Sequence, residues 1–127
     1  HKKSKTKNLI KIKIQGCGKE TRSFMHLEDC VSALNLVSFK KFNNIIINIG
    51  NDTEITIDKL IKIIANNLKL RINIIKTNKL AEGSPSRRCP NINKLRKMGH
   101  KSKYNIIKSI EHTSSWYWKY FDENLND

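Results

Sequence analysis

The sequence has no long apolar run. No uninterrupted apolar segment approaches the roughly 18 residues that a membrane-spanning helix needs. The basic, polar residues 1–8 are not followed by the apolar block and small-residue cleavage site of a secretory signal. We therefore expect neither a membrane span nor a secretory signal within these 127 residues. We expect a cytoplasmic location.

Cysteine is also scarce. The three cysteines, Cys17, Cys30 and Cys89, are odd in number, far apart and outside any C-x-x-C pair. This usage favours reduced thiols and excludes a disulfide scaffold or a zinc ribbon. His26 precedes Cys30 by four residues and Cys89 precedes His100 by eleven, but only the fold could bring these pairs together. We predict no metal site.

Acidic residues number 11 against 25 Lys and Arg, which gives a net charge of +14. Basic side chains bind phosphates, so one interpretation is a small basic nucleic-acid-binding module. However, 20 of the basic residues are Lys and only 5 are Arg, and 54 of the 127 residues are Lys, Asn or Ile, which A+T-rich codons encode. Readers of bases rely on the planar fork of Arg. We keep this module as an alternative and expect no dedicated nucleic-acid partner.

The length and the apolar fraction of 38% suit one folded unit. We expect residues 1–127 to form a single subdomain, with residues 1–9 disordered or ending a preceding helix. The chain begins with His1 inside a Lys-rich run, so we expect it to start partway through a longer reading frame.

Apolar periodicity predicts a mixed α/β fold. Alternation over Ile10–Ile14 is typical of a strand with one buried face, and short strands are predicted at 23–26 and 72–75. The β-branched run Ile45–Ile49, which ends at Gly50, predicts a strand covered on both faces in a parallel sheet.

Four helices are predicted between and after these strands. The first carries an apolar stripe expected to be buried, formed by Leu27, Cys30, Val31, Leu34 and Val37. The others are residues 57–68 capped by Thr56, residues 92–98 capped by Asn91 and stopped by Gly99, and residues 106–121 capped by Asn105.

Two residue spacings suggest a catalytic pair and a dinucleotide-binding turn, but each is a weak signal. Tyr104 and Lys108 share a helix face, where a Lys could lower the phenol pKa. In so Lys-rich a chain, roughly 0.5 such pairs arise by chance, so we interpret them as surface residues. Gly16-Cys-Gly18 lacks the third glycine of a dinucleotide fingerprint because position 21 is Thr, and therefore predicts a turn.

Arginine is rare, yet Arg87 and Arg88 are adjacent, between Pro85 and Pro90, in a segment predicted as a loop. A bidentate guanidinium is suited to phosphate or carboxylate. Arg22, after the glycine-containing turn, is a third candidate for the same site. A solvated basic loop is the alternative explanation of these arginines.

Four blocks resemble the C-terminal, substrate-binding part of the extended short-chain dehydrogenase/reductases, the NAD-dependent nucleotide-sugar epimerases and dehydratases. Residues 16–34 are similar to the family's G-D-G-x-x-x-R-x-F run with its acidic pair and helix. Residues 48–57 are similar to the next block, residues 86–99 to R-x-P-D-I-x-K…L-G-W, and residues 107–120 to the closing helix with its W-Y pair.

The resemblance implies an α/β substrate-binding lobe of a Rossmann-type enzyme, with the Rossmann core largely absent. It implies that Arg22, Arg87 and Arg88 contact the diphosphate of a nucleoside-diphosphate sugar, with Asn91 beside them. It also implies a parent enzyme with NAD, a catalytic Tyr-x-x-x-Lys in an N-terminal Rossmann half, and a homodimer.

The parent would act in carbohydrate metabolism as an isomerase or lyase, oxidising a sugar carbon before epimerisation or dehydration. We expect this portion alone to be inactive and not to bind NAD. A non-catalytic split or degenerate remnant of such an enzyme is a further alternative, and the nucleoside and sugar stay open.

Overall fold

The computed structural model describes residues 9–39 and 44–124, with side chains to residue 121. The expectation for residues 1–9 therefore lies outside the described residues except at Leu9. The elements, in chain order, are β1 Ile10–Ile14, β2 Thr21–Ser23, α1 Leu27–Ser38, β3 Glu54–Thr56, α2 Ile57–Asn67, β4 Ile72–Lys76, β5 Arg87–Arg88, α3 Asn93–Lys97 and α4 Ile106–Asn124. None of the described helices is long and apolar enough to cross a membrane.

The described chain forms two compact units. Unit 1 comprises residues 9–21 and 55–87, and unit 2 comprises residues 22–39, 44–54 and 88–124. The short strands form a sheet with the order β3-β2-β5. The expectation of a single subdomain stays a prediction.

Unit 1 is built on the parallel pair β1 and β4, with Ile10 opposite Ile72 and Ile14 opposite Lys76. Helix α2 begins where predicted, because the Thr56 hydroxyl accepts the Lys59 N–H at 3.3 Å. The structure confirms the two predicted strands and this helix. In α2 the apolar periodicity and the Thr56 cap favour the same element.

Unit 2 has a small apolar core. Ala33, Ile92 and Leu95 are buried together, and partly buried apolar side chains surround them: Met25, Val37, Ile47 and Ile49. The predicted last helix is confirmed and extends to Asn124; the Asn105 Oδ1 accepts the Lys108 N–H at 3.0 Å at its start.

The predicted buried stripe of α1 is wrong. Leu27 is 74% exposed, and Val31 and Leu34 are about half exposed, whereas Ala33 and Asp29 are buried. Ala33 faces the core because its small side chain lies against Leu95 and Ile92. The buried Asp29 carboxylate accepts the backbone N–H groups of Lys103 and Tyr104, which precede α4.

The strand predicted over 45–49 is also wrong. These residues are irregular, and Ile46 is 83% exposed. Ile47 and Ile49 pack on the core without a ladder, because β-branched residues favour extended backbone but do not supply a pairing partner.

Three boundaries differ from the predictions. The strand expected at 23–26 lies at Thr21–Ser23, and Arg87–Arg88 form a strand rather than a loop. Helix α3 takes Ile92 as its N-cap instead of Asn91. Asn91 still acts there, since its Oδ1 accepts the Asn93 N–H at 2.9 Å in an Asx turn.

Candidate functional site

A cavity of about 450 Å³ opens in unit 2 at the ends of β2 and β5. It is lined by Ser23, Met25, Ile49, Gly50, Asn51, Arg88, Cys89 and Pro90. The lining residues thus include side chains with a hydroxyl, an amide, a thiol and a guanidinium beside apolar ones, which is the composition of many small-molecule sites.

The apolar wall is continuous with the core. Met25 and Ile49 line the cavity and also pack against the buried cluster of unit 2. Gly50 lies so near Pro90 that an added Cβ would be 2.8 Å from the Pro90 Cγ. The absence of a side chain at Gly50 therefore lets the two segments that form the cavity approach each other.

The polar side of the cavity is held by the segment that follows Gly50. The Asn51 Oδ1 accepts the Thr53 N–H at 2.9 Å, and the Cys89 thiol lies 3.5 Å from the Asp52 carbonyl oxygen. The Asp52 carboxylate pairs with Arg96 of α3 at 2.7 Å. These bonds fix Asn51 and Cys89 relative to α3.

Arg88 is the predicted site residue that lines this cavity. Arg22 lies on β2 and Arg88 on the neighbouring strand β5. Because successive side chains of a strand leave opposite faces, Arg22 and Ser23 diverge, and so do Arg87 and Arg88. Arg87 therefore leaves β5 on the face opposite Arg88, which lines the cavity.

Arg88 has an exposed side chain. Among the side chains described in residues 9–39 and 44–121, no carboxylate forms an ion pair with it. Its guanidinium keeps its donors for an anion, which is the chemical condition for a phosphate contact.

Asn91 serves the backbone rather than the cavity wall. Its carbonyl oxygen accepts the Asn48 Nδ2 at 3.0 Å, and its Oδ1 is taken by the turn into α3. Asn91 thereby positions Pro90.

The sequence does not predict Ser23, Asn51 and Cys89 as residues of this cavity. Isolated polar residues have no spacing signature that could identify them.

The Gly16-Cys17-Gly18 turn of unit 1 is the described segment that most resembles a pyrophosphate-binding turn for NAD. The Glu20 carboxylate accepts the Cys17 N–H at 2.9 Å and the Gly18 N–H at 2.8 Å. The Gly16 N–H is also used, by the Thr77 hydroxyl at 3.2 Å. The donors that would hold a phosphate are occupied and a carboxylate repels one, so this turn does not fit NAD.

The Tyr104 and Lys108 pair does not supply a general base. The Tyr104 hydroxyl donates to the Glu28 carboxylate at 2.7 Å. This hydrogen bond, together with burial and the charge of Glu28, raises the pKa of the phenol above its ordinary value. A tyrosine base requires the opposite shift.

No family model matches the sequence. Among curated proteins, the chain is similar to the probable GDP-L-fucose synthase 1 of Oryza sativa subsp. japonica, with 23% identity over 114 residues. The match covers 90% of this chain and 34% of that protein.

Among solved structures, the UDP-glucose 4-epimerase of Thermotoga maritima with UDP-glucose superposes with a TM-score of 0.78 and 20% identity over 87% of this chain and 36% of that one. The dTDP-glucose 4,6-dehydratase of Bacillus anthracis in complex with NAD gives 0.74 and 24%, over 87% and 35%. The chain thus spans about a third of the length of these proteins.

These likenesses confirm the resemblance and the fold class read from the sequence. The chain has the fold of the C-terminal region of the Rossmann-type nucleotide-sugar epimerases and dehydratases, with mixed short strands and four helices among its described residues.

Proposed function

We propose that this chain is the nucleotide-sugar-binding portion of an NAD-dependent nucleoside-diphosphate-sugar epimerase or dehydratase. The observation that carries the proposal is Arg88, which lines a cavity of about 450 Å³ with mostly apolar walls. In this proposal Arg88 donates to the diphosphate, because a guanidinium fork matches two phosphate oxygens.

The remaining walls suit the rest of such a ligand. Ser23 and Asn51 offer hydroxyl and amide groups to sugar or ribose hydroxyls, and Met25, Ile49 and Pro90 offer apolar surface to a ring. Asn91 is proposed to assist through the backbone that holds Pro90. Arg22 leaves β2 on the face opposite Ser23, so it is proposed to add positive charge near the site rather than a direct contact.

NAD is assigned to the parent enzyme and not to this portion. The N-terminal Rossmann half is proposed to hold NAD and the catalytic Tyr-x-x-x-Lys, since the turn at Gly16 does not fit the cofactor. The parent would act in the cytoplasm as a homodimer. The bound diphosphate would place the sugar beside the nicotinamide of that half.

The test is a calorimetric titration of the chain with UDP-, GDP- and dTDP-sugars. We expect weak binding of at least one of them. The Arg88→Ala substitution should weaken it roughly 10- to 100-fold, which corresponds to the loss of charge-assisted hydrogen bonds. Arg87→Ala is the matched control, because it removes the same charge from the other face of β5, and should change affinity less than about threefold.

Equal losses for the two variants would reject the assignment of Arg88 and favour bulk charge. The nucleic-acid alternative predicts tighter binding to duplex or single-stranded DNA than to any nucleotide sugar, with a steep salt dependence. No binding to either class of ligand would favour the non-catalytic remnant.

A further inference from the structure

Two histidines and a glutamate from opposite ends of the sequence meet in unit 2. His26 is the N-cap of α1, Glu28 lies in its first turn, and His112 lies on α4. One potential ligand atom from each of the three lies within 4.8 Å of the other two. His26 is half-buried, and Glu28 and His112 are exposed, so an ion from solvent can reach all three.

From this geometry we propose that His26, Glu28 and His112 bind a zinc ion, a site independent of the nucleotide-sugar cavity. Two imidazoles and one carboxylate are a common ligand set for Zn²⁺, and they leave a fourth position for water. Zinc bonds of about 2.0–2.2 Å would bring the ligand atoms closer than 4.8 Å. Exposed side chains can make that contraction by changes of rotamer.

Tyr104 supports the three ligands. Its ring stacks on His26 with centroids 3.9 Å apart, and His112 contacts the Tyr104 ring edge-on at 5.0 Å. Its hydroxyl donates to the Glu28 Oε2 at 2.7 Å. Tyr104 thus touches every ligand, as residues that orient a metal-binding carboxylate and imidazole do.

The backbone around Tyr104 is itself fixed. The carboxylate of Asp29, which is 2% exposed, accepts the Lys103 N–H at 2.9 Å and the Tyr104 N–H at 3.2 Å. The start of α1 and the segment before α4 are therefore joined before any ion binds. A preformed arrangement lowers the ordering cost of coordination.

One nitrogen of His26 already accepts a hydrogen bond. The His26 Nδ1 accepts the Glu28 N–H at 3.2 Å, a long hydrogen bond that caps α1. Coordination through Nδ1 would replace this bond, whereas coordination through Nε2 would leave it in place. The cap is a small loss compared with the binding free energy of zinc sites.

The test is a titration of the tag-free chain with zinc chloride alone, followed by calorimetry and by thermal melting. We expect one zinc ion per chain and a melting temperature that rises with zinc concentration, since an ion that binds only the folded state stabilises it. His112→Ala should weaken binding at least about tenfold and abolish the rise. His112 is exposed, so this variant should melt like the parent chain without zinc.

Two controls separate this site from other donors. Glu111→Gln removes the neighbouring carboxylate of α4, and Cys30→Ser removes the thiol four residues after His26; both should keep zinc binding. Tyr104→Phe keeps the stacked ring and loses only the hydroxyl bond to Glu28, so we expect roughly tenfold weaker binding.

Retention of full affinity in His112→Ala would overturn the proposal, and so would loss of binding in Cys30→Ser or no binding by the parent chain at millimolar zinc. If His112→Ala alters the zinc-free melting curve, Glu28→Gln provides the same test at an exposed position. The nucleotide-sugar titration without zinc is unaffected by any of these outcomes, so the two proposals fail separately.

Discussion

The Glu20 carboxylate accepts the backbone N–H of Gly18 at 2.8 Å. It also accepts the Cys17 N–H at 2.9 Å, and Gly16 and Gly18 adopt positive φ angles of 77° and 80° that bring these donors together. Hydrogen bonds from the Cys17 N–H and from its own backbone are the largest causes that lower the pKa of Glu20 to about 2.

This lowered pKa predicts a loss of stability in acid. The folded chain holds Glu20 ionised more strongly than the unfolded chain does, so the contribution is complete above pH 4.5 and disappears as the pH falls toward 2. Melting temperatures of the parent chain and of Glu20→Gln should therefore converge between pH 6 and pH 2. The melting temperature of Glu82→Gln, a substitution at an exposed position, should differ from that of the parent chain by the same amount at every pH in this range.

The close approach of Gly50 and Pro90 predicts a steric coupling. Gly50→Ala should destabilise the chain by about 1–3 kcal/mol, because the new Cβ would lie 2.8 Å from the Pro90 Cγ. Pro90→Ala removes that atom, so the double variant should be more stable than the sum of the two single losses predicts. Additive losses in urea unfolding would contradict the contact.

Substitutions of two aspartates in unit 2 should lower the free energy of unfolding by different amounts. Asp29→Asn should cost about 2–3 kcal/mol, because it replaces a buried carboxylate that accepts the N–H groups of Lys103 and Tyr104. Asp52→Asn should cost less than about 1 kcal/mol, because its partner Arg96 is 54% exposed. Similar losses for both variants in denaturant unfolding would be inconsistent with the structure.

The Tyr104 phenol should ionise at a higher pH than an ordinary tyrosine. Its hydroxyl bond to Glu28 raises the pKa of the phenol, so its stabilising effect is present below pH 10 and is lost as the pH rises through the folded value. A spectroscopic alkaline titration of metal-free protein, with Tyr104→Phe subtracted, should show this shift. Glu28→Gln should move the pKa back toward its ordinary value, and an unchanged titration would argue against the hydrogen bond.

Local signals predicted the fold best where they agreed with each other. Helix α2 combines the Thr56 cap with a 3.6-residue stripe, and its start is correct. Periodicity identifies the apolar stripe of α1 but not what covers it. It therefore predicts that Leu27 is buried, whereas Leu27 is exposed and Asp29 is buried. The run Ile45–Ile49 shows the same limit for strands, since pairing depends on a distant partner.

The candidate site can be predicted from the sequence only in part, and its binding role stays a prediction. The scarcity of arginine drew attention to Arg88, but strand alternation, which separates it from Arg87, appears only once β5 is known to be a strand. Ser23 and Asn51 enter the cavity through the packing of Gly50 on Pro90, a contact between residues 40 positions apart that no local pattern encodes.

The most direct measurement is a two-dimensional ¹H–¹⁵N spectrum of the chain during titration with the best-binding nucleotide sugar. The largest shifts should occur at the backbone amides of Ser23, Gly50, Asn51, Arg88 and Cys89. They should vanish in Arg88→Ala and persist in Arg87→Ala. Shifts that are spread over the lysine-rich surface and unchanged in Arg88→Ala would contradict the proposed nucleotide-sugar site.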